Sequence, residues 1–137
     1  NLLRLARMTG RQELEEKANT LFKAFTFEIN RYPVAYTQFL SALSFSLGPA
    51  YEVVITGNKK REDTEKMLAA LYSSFFPNKV ILLKDESNSE EKMLEDLAPF
   101  IKEQHQLADK ATAYVCRNFA CQAPTTKPEE LLNFIAD

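Results

Sequence analysis

The hydrophobic period of this chain changes at Leu47-Gly48-Pro49-Ala50, and that change constrains the fold more than any other feature. Before it, apolar residues recur at helical spacing. After it, short β-branched runs alternate with amphipathic stretches. The spacing therefore predicts two parts: a helical segment, residues 1–48, and a small α/β domain, residues 49–137.

Three helices are expected in the first part. The opening Asn1-Leu2-Leu3-Arg4-Leu5-Ala6-Arg7 already has a helical pattern with no capping run before it, and it stops at Thr9-Gly10. This start is what a piece cut from a longer protein would show. A second helix, Gln12 to Asn30, puts Leu14, Ala18, Leu21, Phe22, Phe25 and Ile29 on one stripe, with Glu13, Glu15, Glu16 and Lys17 facing solvent. Pro33 suits the first turn of a third helix, which runs to Leu47 and carries Phe39, Leu40, Leu43 and Leu47. Its apolar surface is wide for a helix with two neighbours in the chain.

In the second part, Tyr51 to Gly57, Lys79 to Lys84 and Ala111 to Cys116 are predicted strands. Between them lie a helix from Asp63 to Phe76, with Met67, Leu68, Leu71 and Phe75 inward, and one from Glu90 to Gln106, with Met93, Leu97, Phe100 and Ile101 inward. Pro99 should kink or split the latter. A last helix follows Pro128. Strands joined through helices are expected to lie parallel, which gives an α/β fold with a three-stranded parallel βαβαβ sheet.

The charges exclude several functions. Seventeen basic and 19 acidic residues leave a net charge of −2, with no basic excess for nucleic acid or an anionic membrane. No apolar run approaches the ~18 residues that span a bilayer. Two cysteines are too few for a disulfide scaffold, so a reduced, cytoplasmic setting is expected.

Candidate sites are sparse. Gly57, Lys59, Lys60 and Arg61 follow a strand and precede a helix, where open sheets bind anions. The glycine pattern of a dinucleotide loop or a P-loop is missing, and a solvated basic loop is the plainer reading. Cys116 and Cys121 are spaced C-x-x-x-x-C, not the C-x-x-C that opens a helix in thioredoxin-type pairs. Two packed thiols are one reading, a reversible disulfide the other. Two cysteines and the distant His105 cannot close a four-ligand zinc site, so neither metal nor cofactor is expected. His105, at a helix end, has no nucleophile placed to use it. The acids Glu90, Glu91, Glu95 and Asp96 have the pattern of a solvated helix face.

The run Ala111 to Leu131, and within it Cys116-Arg117-Asn118-Phe119-Ala120-Cys121-Gln122-Ala123-Pro124, resembles the C-terminal signature of the YyaL/spermatogenesis-associated protein 20 family. Asn1 to Gly10 and Phe76-Pro77-Asn78-Lys79-Val80 resemble other parts of the same region. The resemblance implies a larger protein, with a thioredoxin-like domain followed by an α/α toroid similar to six-hairpin glycosidases and sugar epimerases. On that basis residues 1–48 would end the toroid, and residues 49–137 would be an appendage. No catalytic residue carries over. The resulting expectation is a non-catalytic structural or docking module whose partner is the remainder of its own chain. A second copy could instead cover the helical face as a homodimer. The alternative is a redox or carbohydrate-active contribution through Cys116 and Cys121.

Overall fold

The computed structural model describes residues 1–73, 75–89 and 91–136, with the backbone alone at 136. Three helices come first: α1 (Leu2–Thr9), α2 (Gln12–Arg31) and α3 (Thr37–Leu47). Gly10 ends α1 in the left-handed conformation, φ 73°, and its N–H donates to Ala6 O. That conformation is why glycine stands there. Pro33–Tyr36 forms a separate 3₁₀ turn ahead of α3 rather than its first turn.

The α/β part contains β1 (Tyr51–Thr56), α4 (Glu62–Ser73), β2 (Lys79–Lys84), α5 (Glu91–Leu97), β3 (Thr112–Arg117), β4 (Ala120–Cys121) and α6 (Pro128–Ala136). The strands form one mixed sheet in the order β2-β1-β3-β4. β1 and β2 are parallel, as expected. β3 runs antiparallel to β1, and a fourth strand pairs antiparallel with β3, so the expected three-stranded parallel sheet is corrected.

The physical reason lies at Pro99. α5 has seven residues, about 10 Å of helix, against about 20 Å for a six-residue strand. After Leu97 the chain passes through a 3₁₀ turn, Pro99–Ile101, instead of continuing to Gln106. Lys84 Nζ donates to Ile101 O and Lys102 O, and Thr56 Oγ1 donates to Gln104 O. These bonds hold the returning chain at the C-terminal ends of β1 and β2, so β3 starts from there and runs back.

Alternate residues sort to the two sheet faces. Tyr51, Val53, Ile55, Ala113 and Val115 pack under α4 and α6, against Met67, Leu71, Leu131 and Ile135. Val54 and Leu82 face Ala98, Ile101, Leu94 and Phe100, with Met8 of α1 joining them. A third cluster, Leu3, Ala18, Phe45, Ala50 and Val80, ties the helices to β2. Arg4 adds bonds to Lys79 O and Pro77 O, both 2.8 Å.

Several inward positions are corrected. Phe75 lies beyond the described helix and is exposed, while Phe76 packs on the core. Met93 and Leu97 are exposed, because α5 is too short to lay a continuous stripe on the sheet. Glu90, expected to open that helix, lies outside the described residues. Among the described residues no helix is long and apolar enough to cross a membrane.

Candidate functional site

At the basic loop the backbone N–H groups of Gly57, Lys59 and Lys60 and the Arg61 guanidinium already have partners. Gly57 N–H donates to Lys84 O (2.9 Å), so it does not point at a ligand. Arg61 binds the Asp63 carboxylate and the carboxylate and carbonyl of Asp109. Asn58 Oδ1 accepts from Lys60 N–H, and Asp85 Oδ2 accepts from Lys59 N–H. Lys59 and Lys60 do line an open cleft of about 420 Å³ with Asp85, Ser87 and Ser89. Burial pushes the Asp85 carboxyl up, but bonds from the Ser87 hydroxyl and the Lys59 and Ser87 N–H groups prevail and hold it below its ordinary value. An anion in this cleft would meet that carboxylate beside the two lysines.

Asp63 stands in the first turn of α4, where its Oδ1 accepts from Thr64 N–H. Its Oδ2 accepts from Ala111 N–H at 2.9 Å, which lowers its pKa and fastens α4 to the start of β3. His105 is not at a helix end. Its Nδ1 lies 2.7 Å from Glu86 Oε1, and its backbone carbonyl accepts from Tyr114 Oη.

The acids of α5 are corrected. Glu95 and Glu91 are not merely a solvated face, since their carboxylates lie 2.9 and 3.6 Å from Nζ of the fully buried Lys84. Two carboxylates and two carbonyls therefore surround one ammonium group.

The cysteines meet at the opposite end of the sheet. Cys116 ends near the start of β1, in register with Glu52 on one side and Cys121 on the other. Cys121 lies in β4, not in the turn. The two are joined as a disulfide, with Cα atoms 3.8 Å apart, inside the ~7 Å limit for bridging. The reading as two separate packed thiols does not describe this structure. Cys116 is fully buried and Cys121 is exposed.

The turn between them, Asn118-Phe119, has φ of 52° and 61°. Two consecutive positive φ values suit a two-residue hairpin, but neither residue is glycine. Their left-handed backbones are held from outside. Phe119 N–H donates to Glu52 Oε2 (3.0 Å), and Asn118 Oδ1 accepts from Arg7 Nη1 (2.8 Å). Arg7 Nη1 also lies 3.2 Å from Glu52 Oε1, and the Phe119 ring meets Phe100 edge-on. Sequence reasoning missed Glu52. Its signal was an acid inside an otherwise apolar strand run.

Burial is the largest influence on Glu52 and raises its carboxyl above the ordinary value; the Phe119 N–H and Arg7 oppose this without cancelling it. A raised folded-state pKa means that the folded chain holds the proton more tightly than the unfolded chain. The carboxyl's contribution to stability then declines as pH rises through the ordinary range to the raised value. Glu52→Gln removes that slope. The Tm of the variant minus that of the parent is expected to grow more positive as pH rises from the ordinary carboxyl range, about 4, upward. Thermal melts across the range check this, and parallel curves would show that burial does not dominate.

The sequence is similar to that of known proteins. Human spermatogenesis-associated protein 20 is 38% identical over 131 residues, 96% of this chain. The rat protein of the same name is 36% identical over the same length. The chain matches a C-terminal part of the spermatogenesis-associated protein 20 family. It spans 16% of the length of those curated relatives. No family model matches the chain. Thioredoxin f from spinach chloroplast, short form, superposes with a TM-score of 0.43 at 17% identity, covering 69% of this chain and 81% of that one.

Proposed function

We propose that this chain is a non-catalytic structural module whose helical segment packs against the remainder of a longer protein. One observation carries the reading. Apolar side chains stand out from the helices with nothing over them: Phe27 is 68% exposed, Val34 86% and Leu47 79%. Such surface tends to mark an interface. The relatives extend far beyond the matched region, which supplies a partner in the same polypeptide. In this reading α1 to α3 close a helical body, the toroid implied by the resemblance, and the sheet is its appendage.

The sheet pairs β1 with β2 in parallel and with β3 antiparallel, and its helices and strands place no thiol at a helix N-terminus. A thiol that works by thiolate attack is activated at a helix N-terminus. The approach to α4 carries Asn58, Lys59, Lys60 and Arg61, with no cysteine. The only cysteines lie at the other end of β1, about 13 Å along the strand by its rise per residue. Ser87 Oγ donates to Asp85 and Thr125 Oγ1 to Glu130, each at 2.6 Å, but both carboxyls are held below their ordinary values and so are weak bases.

Co-expression of this chain with the preceding part of the longer protein tests the proposal. The unaltered chain is expected to be captured by that part. The triple variant Phe27→Ser, Val34→Ser, Leu47→Ser is expected to escape capture while losing only about 0.5 kcal/mol per site in isolation. Equal capture of both forms would overturn the docking role. A dimer in light scattering that the triple variant abolishes would assign the face to a second copy instead. Disulfide-reductase turnover above that of a Cys116→Ser, Cys121→Ser variant would favour the redox reading.

A further inference from the structure

We infer that the Cys116–Cys121 disulfide is a thiol-exchange site, entered at Cys121 by a dithiol reductant, whose opening releases the joint between α1 and the sheet. The two sulfurs differ in access. Cys121 lies exposed on a two-residue strand, whereas Cys116 is fully buried beside Glu52 on the neighbouring strand. Attack in line with the sulfur–sulfur bond is therefore open at Cys121 and closed at Cys116.

The exchange balances in two steps. A thiolate of the dithiol forms a bond to Cys121 Sγ, the sulfur–sulfur bond breaks, and Cys116 leaves as a thiolate and takes a proton from solvent. The second thiol of the reductant then attacks its own sulfur in the mixed disulfide. Cys121 is released and protonated, and the reductant becomes a cyclic disulfide. The protein gains two electrons and two protons, and the dithiol loses them.

The consequence follows from what the bond restrains. Away from the tip, Gln122 N–H donates to Val115 O and Thr125 bridges Ala113, and those bonds do not depend on the disulfide; the tip itself pairs only Ala120 and Cys121 with β3 and holds two non-glycine residues at positive φ. Such a short hairpin has little stability of its own. With the covalent tie cut, the turn is free to relax. Phe119 N–H then withdraws from Glu52, and Asn118 Oδ1 from Arg7. Arg7 belongs to α1 and Glu52 to β1, so the hairpin tip is a third point of attachment between helices and sheet. It also borders the cleft of about 520 Å³ between Arg7, Arg11, Glu15, Asn19, Asn118 and Phe119, which opens when the tip moves.

Hydrogen exchange on the whole chain tests the inference, comparing the air-oxidised form with the form reduced by dithiothreitol. Reduction is expected to add two hydrogens in mass. It should speed exchange at Phe119 and at the C-terminal turn of α1 about tenfold, while the amides of β1 and β2 stay protected. The Cys116→Ser, Cys121→Ser variant should behave as the reduced form. A monothiol offered in excess and trapped by acid should be found on Cys121. Any of four results overturns the inference: two free thiols in the oxidised chain, unchanged exchange at the hairpin and α1, global unfolding on reduction, or an adduct on Cys116.

Discussion

Lys84→Ala is expected to lower stability by about 3 kcal/mol, the loss typical of truncating a long buried side chain to alanine. Lys84 ends β2 with no exposed surface, and its Nζ donates to Ile101 O at 3.3 Å and Lys102 O at 3.1 Å. Its stem packs between sheet and return segment, so alanine leaves a cavity as well as two carbonyls short of a donor. The charge matters less. Glu91 and Glu95 are 26% and 23% exposed and can turn to water when the ammonium is gone. Lys84→Met separates the two effects, because it keeps most of the stem. It is expected to cost about 1–2 kcal/mol, the price of leaving polar groups unpaired. Urea unfolding followed by circular dichroism measures both variants. Equal losses would put the ion cluster, not the stem, in control of the site. No loss from alanine would mean that the lysine is not buried as described.

The same residue shows what the sequence could and could not disclose. Lys84 was legible as the end of a strand, because Val80-Ile81-Leu82-Leu83 is an unbroken apolar run. That its ammonium turns inward depends on Glu91, Glu95 and the carbonyls after Pro99, a meeting no local pattern encodes. The strands β1 to β3 and the helices α4 and α6 were legible for the same reason as β2: their periods are local. The direction of β3 was not. The parallel rule assumes a crossover as long as the strand, and α5 is half that. Both tight turns escaped notice because Ala108-Asp109 and Asn118-Phe119 adopt positive φ without glycine, held there by distant partners. The cysteine pair was visible as a spacing, but β4 and the bond were not. The buried acid Glu52 was overlooked because strand patterns are read for their apolar members.

Gly57→Ala is expected to cost about 2 kcal/mol, within the range for overpacking a filled site, for a reason unrelated to anion binding. Position 57 was singled out as the one glycine of a phosphate-type loop. Its backbone has no positive φ to demand glycine. Space does. A Cβ there would lie 2.5 Å from Thr64 Oγ1, 3.2 Å from Ala111 Cβ and 3.3 Å from Ala111 Cα. The first turn of α4 and the start of β3 thus close directly over the end of β1, a junction also fastened by Asp63 to Ala111 N–H. The nearest clash is with a side chain that can be removed. Thr64 Oγ1 is buried with no hydrogen-bond partner among the described residues, so Thr64→Ala alone should change stability by less than about 1 kcal/mol. The double variant should be more stable than the sum of the single effects implies, by about 1 kcal/mol, because the short contact is gone. Recovery should stay incomplete, since Ala111 is part of the backbone wall and cannot withdraw. A double-mutant cycle by chemical denaturation reads the coupling directly. Strict additivity would show that the helix shifts away as a unit and that the glycine is not there for close packing.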